Sequence, residues 1–395
     1  MKKVRILGIN IHSINKKKAL EVIDGFLNSD KQHYVVTVNP EFLVSAKRDE
    51  EFYHILSKAD LSLADGFGIV LMSHLIPPRI KSHIRGSDVT FKLLKEAEKK
   101  GDKVCILNWN TSLSKKDDIE IILENKYPNL KFLVQDIERG GKDAKIKEIN
   151  DFAPKLLFVT LGARFQEKFI YTNLEKMPSV RVAMGVGGTF DFLTEKIERA
   201  PIWIRKIELE WLWRLIKEPR FRVKRIFKAV IIFPFIFLKE RLVNHHFYRK
   251  NVACLMYKKE EGKIKIFLAE RRDEKGHFQI PQGGTDGEYI EDAGEKELKE
   301  EIGTGKFRFK GVFEDIHKYK FKNTPNDYRH SNYKGQKQGL FVAEFVGSDD
   351  DIKLFPYEFS SWKWSEKDKV LDEVHPLRVE PMKEFLKKLD GIENL

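Results

Sequence analysis

Short apolar runs alternating with charged amphipathic segments across residues 4–200 limit what this chain can fold into more than any other feature. HYVVTVN, KVCILNW, KLLFVTLG and RVAMGVGG read as buried strands, several of them ending in Gly or Asn. Between them, stretches such as KKALEVIDGFLNS and SDVTFKLLKEAEKK carry the helical period. Alternation of this kind predicts an α/β domain with a mainly parallel sheet. Residues that meet a ligand are then expected at the C-terminal ends of the strands.

At 395 residues the chain exceeds the size at which single cores stop growing, so two domains are expected. A 42% hydrophobic and 33% charged composition suits a soluble globular protein and argues against long disorder. Cys105 and Cys254 are the only cysteines, each inside an apolar run, which excludes a disulfide framework and suits a reducing cytoplasm. The opening MKKVRILGINIHSI is broken by Gly8 and Asn10, so it reads as a first β-strand rather than a signal peptide.

The net charge of +12 is unevenly placed. Residues 201–245 hold eleven Lys and Arg against four acids, a local excess of seven positive charges. After Pro219, Val223, Ile226, Phe227 and Val230 make an apolar stripe, with Arg220, Lys224, Arg225 and Lys228 around the other side. The following run AVIIFPFIFL is ten residues long and contains Pro234, whereas a spanning helix needs about 20. A basic amphipathic segment next to a short greasy one fits a helix lying in a membrane interface. Packing on its own domain or on a partner is the plainer alternative, and a nucleic-acid patch a third.

A different chemistry is written in Gly283–Gly303, GGTDGEYIEDAGEKELKEEIG. Glu297, Glu300 and Glu301 fall at i, i+3 and i+4 of the helix that follows the glycine turn, so their carboxylates share a face. Clustered hard oxygen ligands suit Mg²⁺ or Mn²⁺ working on phosphates. A solvated Glu/Lys surface helix is the bland reading. Around this segment, NVACLMYKK and KIKIFLAERR predict a hairpin and PMKEFLKKL a closing helix, so residues 246–395 make a compact domain of their own.

The first domain offers three further signals. Asp65 in LADGFGIV is an acid at the end of an apolar strand, followed by glycines that allow close approach of a ligand. VTVNPEF places Thr37 and Asn39 at a strand terminus, and GVGGTFDF is a glycine-rich strand-to-helix turn suited to a phosphate or ribose. An Asp before Gly is also a common turn or cap residue.

The C-terminal segments, taken together, resemble a known family. GGTDGEYIEDAGEKELKEEIG resembles a Nudix box, with Lys296 where Arg is usual and a glycine loop one residue shorter than the pattern. YRKNVA, AERRDEKGHFQIPQGG, GQKQGLF and EFSSWKW follow in the order found in RNA 5′-pyrophosphohydrolases and dinucleoside polyphosphate hydrolases of that superfamily. The resemblance implies an α/β/α sandwich with Glu297, Glu300 and Glu301 as ligands of Mg²⁺ or Mn²⁺. It gives Glu300 and Glu301 a catalytic part, one of them orienting water, and makes Glu358 a further acid. Arg249, Arg271 and Lys337 fall where the family meets phosphates, on a nucleoside polyphosphate or an RNA 5′ end.

Residues 4–240 are similar to the WecG/TagA/CpsF glycosyltransferases through VTVNPEFLVSAKRD, LSLADGFGIV, RGSD, LGARFQEKFI, GVGGTFDFLTEKIERAP and LEWLWRLIKEPRFRVKR. That implies a Rossmann-like core over residues 1–200 and a membrane-associating appendage over 201–245. The reaction implied is transfer of an N-acetylhexosamine from a UDP-sugar to an undecaprenyl-diphosphate-linked sugar. It would take place peripherally, at the inner face of the bacterial cell membrane, in an enzyme that can form homo-oligomers. Asp65 matches the general base, with Thr37 and Asn39 beside it. Arg85 and Gln166 match acceptor or donor contacts, Asp191 lies in the uridine-binding turn, and Arg214, Arg222 and Arg225 reach the diphosphate. No Asp-x-Asp motif occurs in residues 1–245, so arginines rather than a cofactor are expected to stabilise the leaving UDP. Arg164 stands where a proline is usual, which predicts altered loop geometry. The two resemblances together imply a bifunctional enzyme; the alternative is a glycosyltransferase regulated by a Nudix domain that binds nucleotide without hydrolysing it.

Overall fold

The computed structural model describes residues 1–393 except 77, 218, 286 and 322–332, and the side chains of 206, 214, 219–222 and 245 are outside the description. The chain divides into two compact units, Met1–Leu238 and Lys239–Leu395. The division falls inside the helix Phe233–Leu242.

In the first unit the four apolar runs do form strands of one sheet. Six parallel strands lie in the order Leu61–Ala64, His33–Val38, Val182–Gly185, Leu156–Val159, Val104–Trp109 and Phe132–Ile137. Both faces are buried: Tyr34, Val36 and Val38 enter one apolar cluster while Val35 enters the other. That is why the strands read as continuous apolar runs rather than as alternations. Helix Lys16–Leu27 shows the complementary logic, with Asn15 capping its start and Ala19, Ile23 and Leu27 buried at i, i+4 and i+8. His33–Val38 and Leu61–Ala64 are parallel neighbours in register, so the residues that follow their C-terminal ends lie side by side. At the N-terminus the expected single strand is instead an antiparallel hairpin, Lys3–Ile6 with Ile9–His12. Gly8, at φ 87, supplies the turn.

The basic segment continues the first unit as helices Ile202–Lys206, Glu210–Lys217 and Pro219–Phe227, a π-helical turn Lys228–Ile232, and Phe233–Leu242. The wide turn lies just before Pro234, whose ring cannot donate to an ordinary helical ladder. Phe233 and Phe237 are buried in the first unit's core. Val223 and Phe227 of the stripe remain more than half exposed, at 54% and 55%. Trp203, Ile216, Ile231 and Phe235 are likewise exposed. Among the described residues, no helix is long and apolar enough to cross a membrane.

The second unit is built on a mixed sheet. Strand Tyr248–Glu260 pairs antiparallel with Lys263–Arg271 and parallel with Gly335–Phe345, which in turn pairs with Phe307–Lys320. Gln282–Gly284 adds to Tyr248–Glu260, and Phe278–Gln279 and Phe359–Glu366 add to Lys263–Arg271. Alternate residues of the central strand point to opposite sides. Ala253, Leu255 and Tyr257 pack with Met382, Phe385 and Leu389 of helix Val379–Glu393. Val252, Cys254 and Met256 pack with Ala293, Leu298 and Ile302 of helix Ile290–Ile302. The sheet is thus sandwiched between two helical layers. Gly294 lets helix and sheet approach closely, because a Cβ there would overlap the Phe341 ring.

Candidate active sites

In the first unit, backbone pairing sets the site. Asp65 N donates to Val38 O (2.7 Å) and Ile84 N to Ala64 O (2.8 Å), so the segments after two neighbouring strands run side by side. Gly86 opens helix Gly86–Lys100, and its N–H donates to Asp65 Oδ2 at 3.0 Å. The positive end of that helix therefore faces the carboxylate. A Cβ on Gly86 would lie 3.2 Å from Asp65 Oδ2 and 3.3 Å from Thr37 Oγ1, so Asp65, Thr37 and the helix start converge on one spot. Asp65 keeps 32% of its side chain exposed there. The glycine after it has a different use from the one expected. At Gly66 the close neighbour is Pro40, whose Cδ would be 2.8 Å from a Cβ.

The other expected residues of this unit are held in distinct ways. Asn39 caps helix Pro40–Ala46, its Oδ1 accepting from Phe42 N at 3.0 Å. Gln166 is buried, donates to Glu167 (2.7 Å) and accepts from Gly187 N (3.0 Å), so it props up the glycine turn. Glu167 is buried too, and burial pushes its carboxyl up to about 7. Asp191 Oδ1 accepts from Ser114 N and Oγ, at 3.0 and 2.8 Å. Arg225 Nε donates to Glu41 at 2.7 Å. The side chains of Arg214 and Arg222 lie outside the described residues. Arg164 has φ 71, a value that a proline ring fixed near −65° cannot adopt, so this loop does differ from a proline-bearing one.

Arg85, expected to meet substrate, is instead engaged by two acids from the root of the appendage. Its Nη2 donates to Glu208 (2.6 Å) and to Arg205 O (2.8 Å). Its Nε lies 3.0 Å from Glu210, close enough for an ion pair but too poorly aligned for a hydrogen bond. His83 bridges Asp65 and Glu208. These contacts were not legible: IKSHIRGSD and KIELEW are 120 residues apart in the chain and carry no shared period. Arg139 was missed as well; its guanidinium lies over Trp109 (4.0 Å) and Phe165 (5.0 Å) beyond the strand ends.

In the second unit, Glu297 and Glu301 lie one turn apart on helix Ile290–Ile302, and Glu358 approaches from a separate loop. Gly303, at φ 68, ends the helix, and Phe355 N donates to Glu301 O at 2.7 Å, which ties that loop to the helix end. Glu301 is 5% exposed, and its buried Oε2 has no hydrogen-bond partner. Burial first, then the charges of Glu358 and Glu297, push its carboxyl well above the usual range. A buried acid with an unsatisfied oxygen beside two other acids is costly unless a cation joins it, so this donor set fits a hard divalent metal. Gly283 makes room for it: a Cβ there would overlap the Glu297 carboxylate. A Cβ at Gly284 would overlap the Arg249 guanidinium, so the second glycine of the pair makes room for a cation on the opposite face of the strand.

Glu300 is exposed on the same helix, facing a shallow hollow with Asp292, Glu295, Lys296 and Lys299. Lys296 pairs with Glu288 at 3.7 Å. Arg271 makes a two-point contact with Asp273 (2.8 and 2.7 Å), and Lys337 pairs with Asp315. Elsewhere in the unit, Glu274, His277 and His375 also bring three ligand atoms together. The two rings stack 3.8 Å apart and 4° from parallel, so their lone pairs run alongside each other instead of converging on one ion. Packing explains that trio.

Comparison with known proteins separates the two units. Residues 4–246 match the model of the Glycosyl transferase WecG/TagA/CpsF family, and residues 247–389 match that of the NUDIX domain. An N-acetylglucosaminyldiphosphoundecaprenol N-acetyl-beta-D-mannosaminyltransferase of Bacillus subtilis (strain 168) is 33% identical over 240 residues, 58% of this chain and 91% of that protein. The enzyme of the same name from Staphylococcus aureus (strain MRSA252) is 29% identical over 245 residues, 60% of this chain and 93% of its own. Among solved structures, a C. elegans Ap4A hydrolase binary complex is similar at a TM-score of 0.29 and 21% identity, covering 36% of this chain and 98% of its own.

Proposed function

Because the chain belongs to the Glycosyl transferase WecG/TagA/CpsF family, with a NUDIX domain behind it, we propose two reactions at two separate sites. The first unit transfers an N-acetylhexosamine from a UDP-sugar to a sugar on undecaprenyl diphosphate, with Asp65 taking the proton of the acceptor hydroxyl. The observation that carries this is the convergence of Asp65, Thr37 and Gly86 at the C-terminal ends of two neighbouring parallel strands. A carboxylate anchored through one oxygen and a third open to solvent is placed to act as a base. Thr37 and Asn39 border the site, Gln166 and Asp191 shape the glycine turn for the nucleotide, and Arg214, Arg222 and Arg225 serve the diphosphate. The exposed Trp203, Ile216, Phe227, Ile231 and Phe235 among basic residues support attachment to an anionic membrane surface, where the lipid acceptor resides.

The test is a radiolabelled UDP-N-acetylmannosamine assay with N-acetylglucosaminyl-diphosphoundecaprenol, with and without anionic vesicles. Label is expected in the lipid fraction, faster with vesicles. No label in lipid under either condition would reject the reading.

The second unit hydrolyses a nucleoside polyphosphate or an RNA 5′ end. Glu297, Glu301 and Glu358 would hold the metal, with Glu300 at its outer edge, while Arg249, Arg271 and Lys337 receive phosphates. Bound there, Mg²⁺ or Mn²⁺ would supply charge neutralisation and a lowered water pKa. Gly283→Ala should push Glu297 aside and lower hydrolysis by about 100-fold, the scale of an ångström-size misplacement. Formation of mononucleotides from diadenosine tetraphosphate checks this, and an unchanged rate would place Glu297 outside the reaction. The exposed Glu300, and Lys296 paired away from the acids, favour a second reading in which this domain binds nucleotide and regulates transfer without turnover.

A further inference from the structure

His83 occupies a position that the reading above leaves unexplained. Its ring is 12% exposed and sits between two carboxylates, with Nδ1 2.6 Å from Glu208 Oε2 and Nε2 3.4 Å from Asp65 Oδ1. The unequal distances have a simple cause. A neutral imidazole carries one N–H. Donated from Nδ1 to Glu208, it makes the short bond and leaves the Nε2 lone pair facing a carboxylate oxygen, with no proton between them to share. Glu208 is itself held firmly. It adopts φ 61, uncommon for a residue with a side chain, at the junction of helices Ile202–Lys206 and Glu210–Lys217. Arg85 grips the same Glu208 oxygen from the far side.

We propose that His83 receives the proton that Asp65 takes from the acceptor hydroxyl, with Glu208 fixing the tautomer of the ring and holding the imidazolium that forms. The inference rests on the transferase reading of this site. In the step, the acceptor oxygen bonds to the anomeric carbon as the bond from that carbon to UDP breaks, its electron pair leaving on the UDP oxygen. The hydroxyl proton passes to Asp65 Oδ1 and then to His83 Nε2, which restores the Asp65 carboxylate. His83 acts through Asp65 and is a positioning residue. Asp65 and Glu208 are the charged groups facing its ring, and Arg85 lies beyond Glu208. Burial disfavours the charged ring, but the two acids outweigh it and raise the pKa above the usual histidine value. Below that pKa the ring already carries a proton and cannot accept another, so transfer should fall on the acid side.

His83→Gln and Glu208→Gln in the full chain test this with UDP-N-acetylmannosamine and the undecaprenyl acceptor across pH. His83→Gln should lower kcat by about 100-fold, leave KM for the donor unchanged, and move the acid limb to lower pH. Glu208→Gln should cost less and move that limb to lower pH, because a carboxylate favouring the imidazolium is gone. A His83→Gln enzyme with normal kcat, or with its acid limb unmoved, overturns the proposal. If His83→Gln does not fold, an unmoved limb in Glu208→Gln overturns it instead. Activity retained by Asp65→Asn would sink the transferase reading itself, a separate failure.

Discussion

Replacing Asp65 by Asn is expected to lower sugar transfer by about 10²- to 10⁴-fold, the usual worth of a positioned base, with little change in donor binding. The amide keeps the size of the side chain and its oxygen can still accept from Gly86 N, so the start of helix Gly86–Lys100 stays anchored. What it loses is the ability to take a proton. Measuring kcat and KM for donor and acceptor separates the two effects, since a group used in the transition state lowers kcat while leaving ground-state binding alone. A normal kcat would reduce Asp65 to an anchor for the helix.

The second large effect is expected at Glu301. Glu301→Gln should lower metal-dependent hydrolysis by more than about 100-fold, because losing even an outer partner of a metal ligand typically costs ~10- to 100-fold. Stability should move the other way. The folded-state pKa of Glu301 is raised, so the metal-free fold is penalised as pH climbs above the ordinary glutamate range and not below it. Glutamine carries no such charge. The metal-free variant should therefore melt higher than wild type at neutral pH, with the difference vanishing in acid. Mg²⁺ at 100 times its Kd should stabilise wild type by about 2.7 kcal/mol and the variant by far less. Melting curves with EDTA or Mg²⁺ at several pH values check this. Equal Mg²⁺ shifts in both proteins would remove Glu301 from the metal site.

The architecture was legible because both sheets bury both faces. Unbroken apolar strands such as KVCILNW and NVACLMYKK, separated by amphipathic helices, leave few alternatives. Asp65 and the 297/301 pair were legible for a local reason, a strand terminus and a one-turn spacing. Glu300 shows the limit of spacing. A shift of one residue turns a side chain by about 100° around a helix, which buries Glu301 beside Glu297 and leaves Glu300 in solvent. Arg85 shows another. Its partners Glu208 and Glu210 come from a segment read for its positive charge, and pairing across 123 residues leaves no trace in local pattern. The glycines after Asp65 were expected to admit a ligand, but only the fold reveals that the close neighbour at Gly66 is Pro40, and that Gly283 makes room for Glu297.

The two proposed reactions rest on separate residues, transfer on Asp65 and hydrolysis on Glu301. Assaying both reactions on the same preparations of full-length Asp65→Asn and Glu301→Gln tests that claim most directly. Asp65→Asn should lose transfer and retain hydrolysis of diadenosine tetraphosphate, and Glu301→Gln should do the reverse. Loss of both activities through either single substitution, or a wild-type protein that transfers sugar but does not cleave diadenosine tetraphosphate, would contradict it.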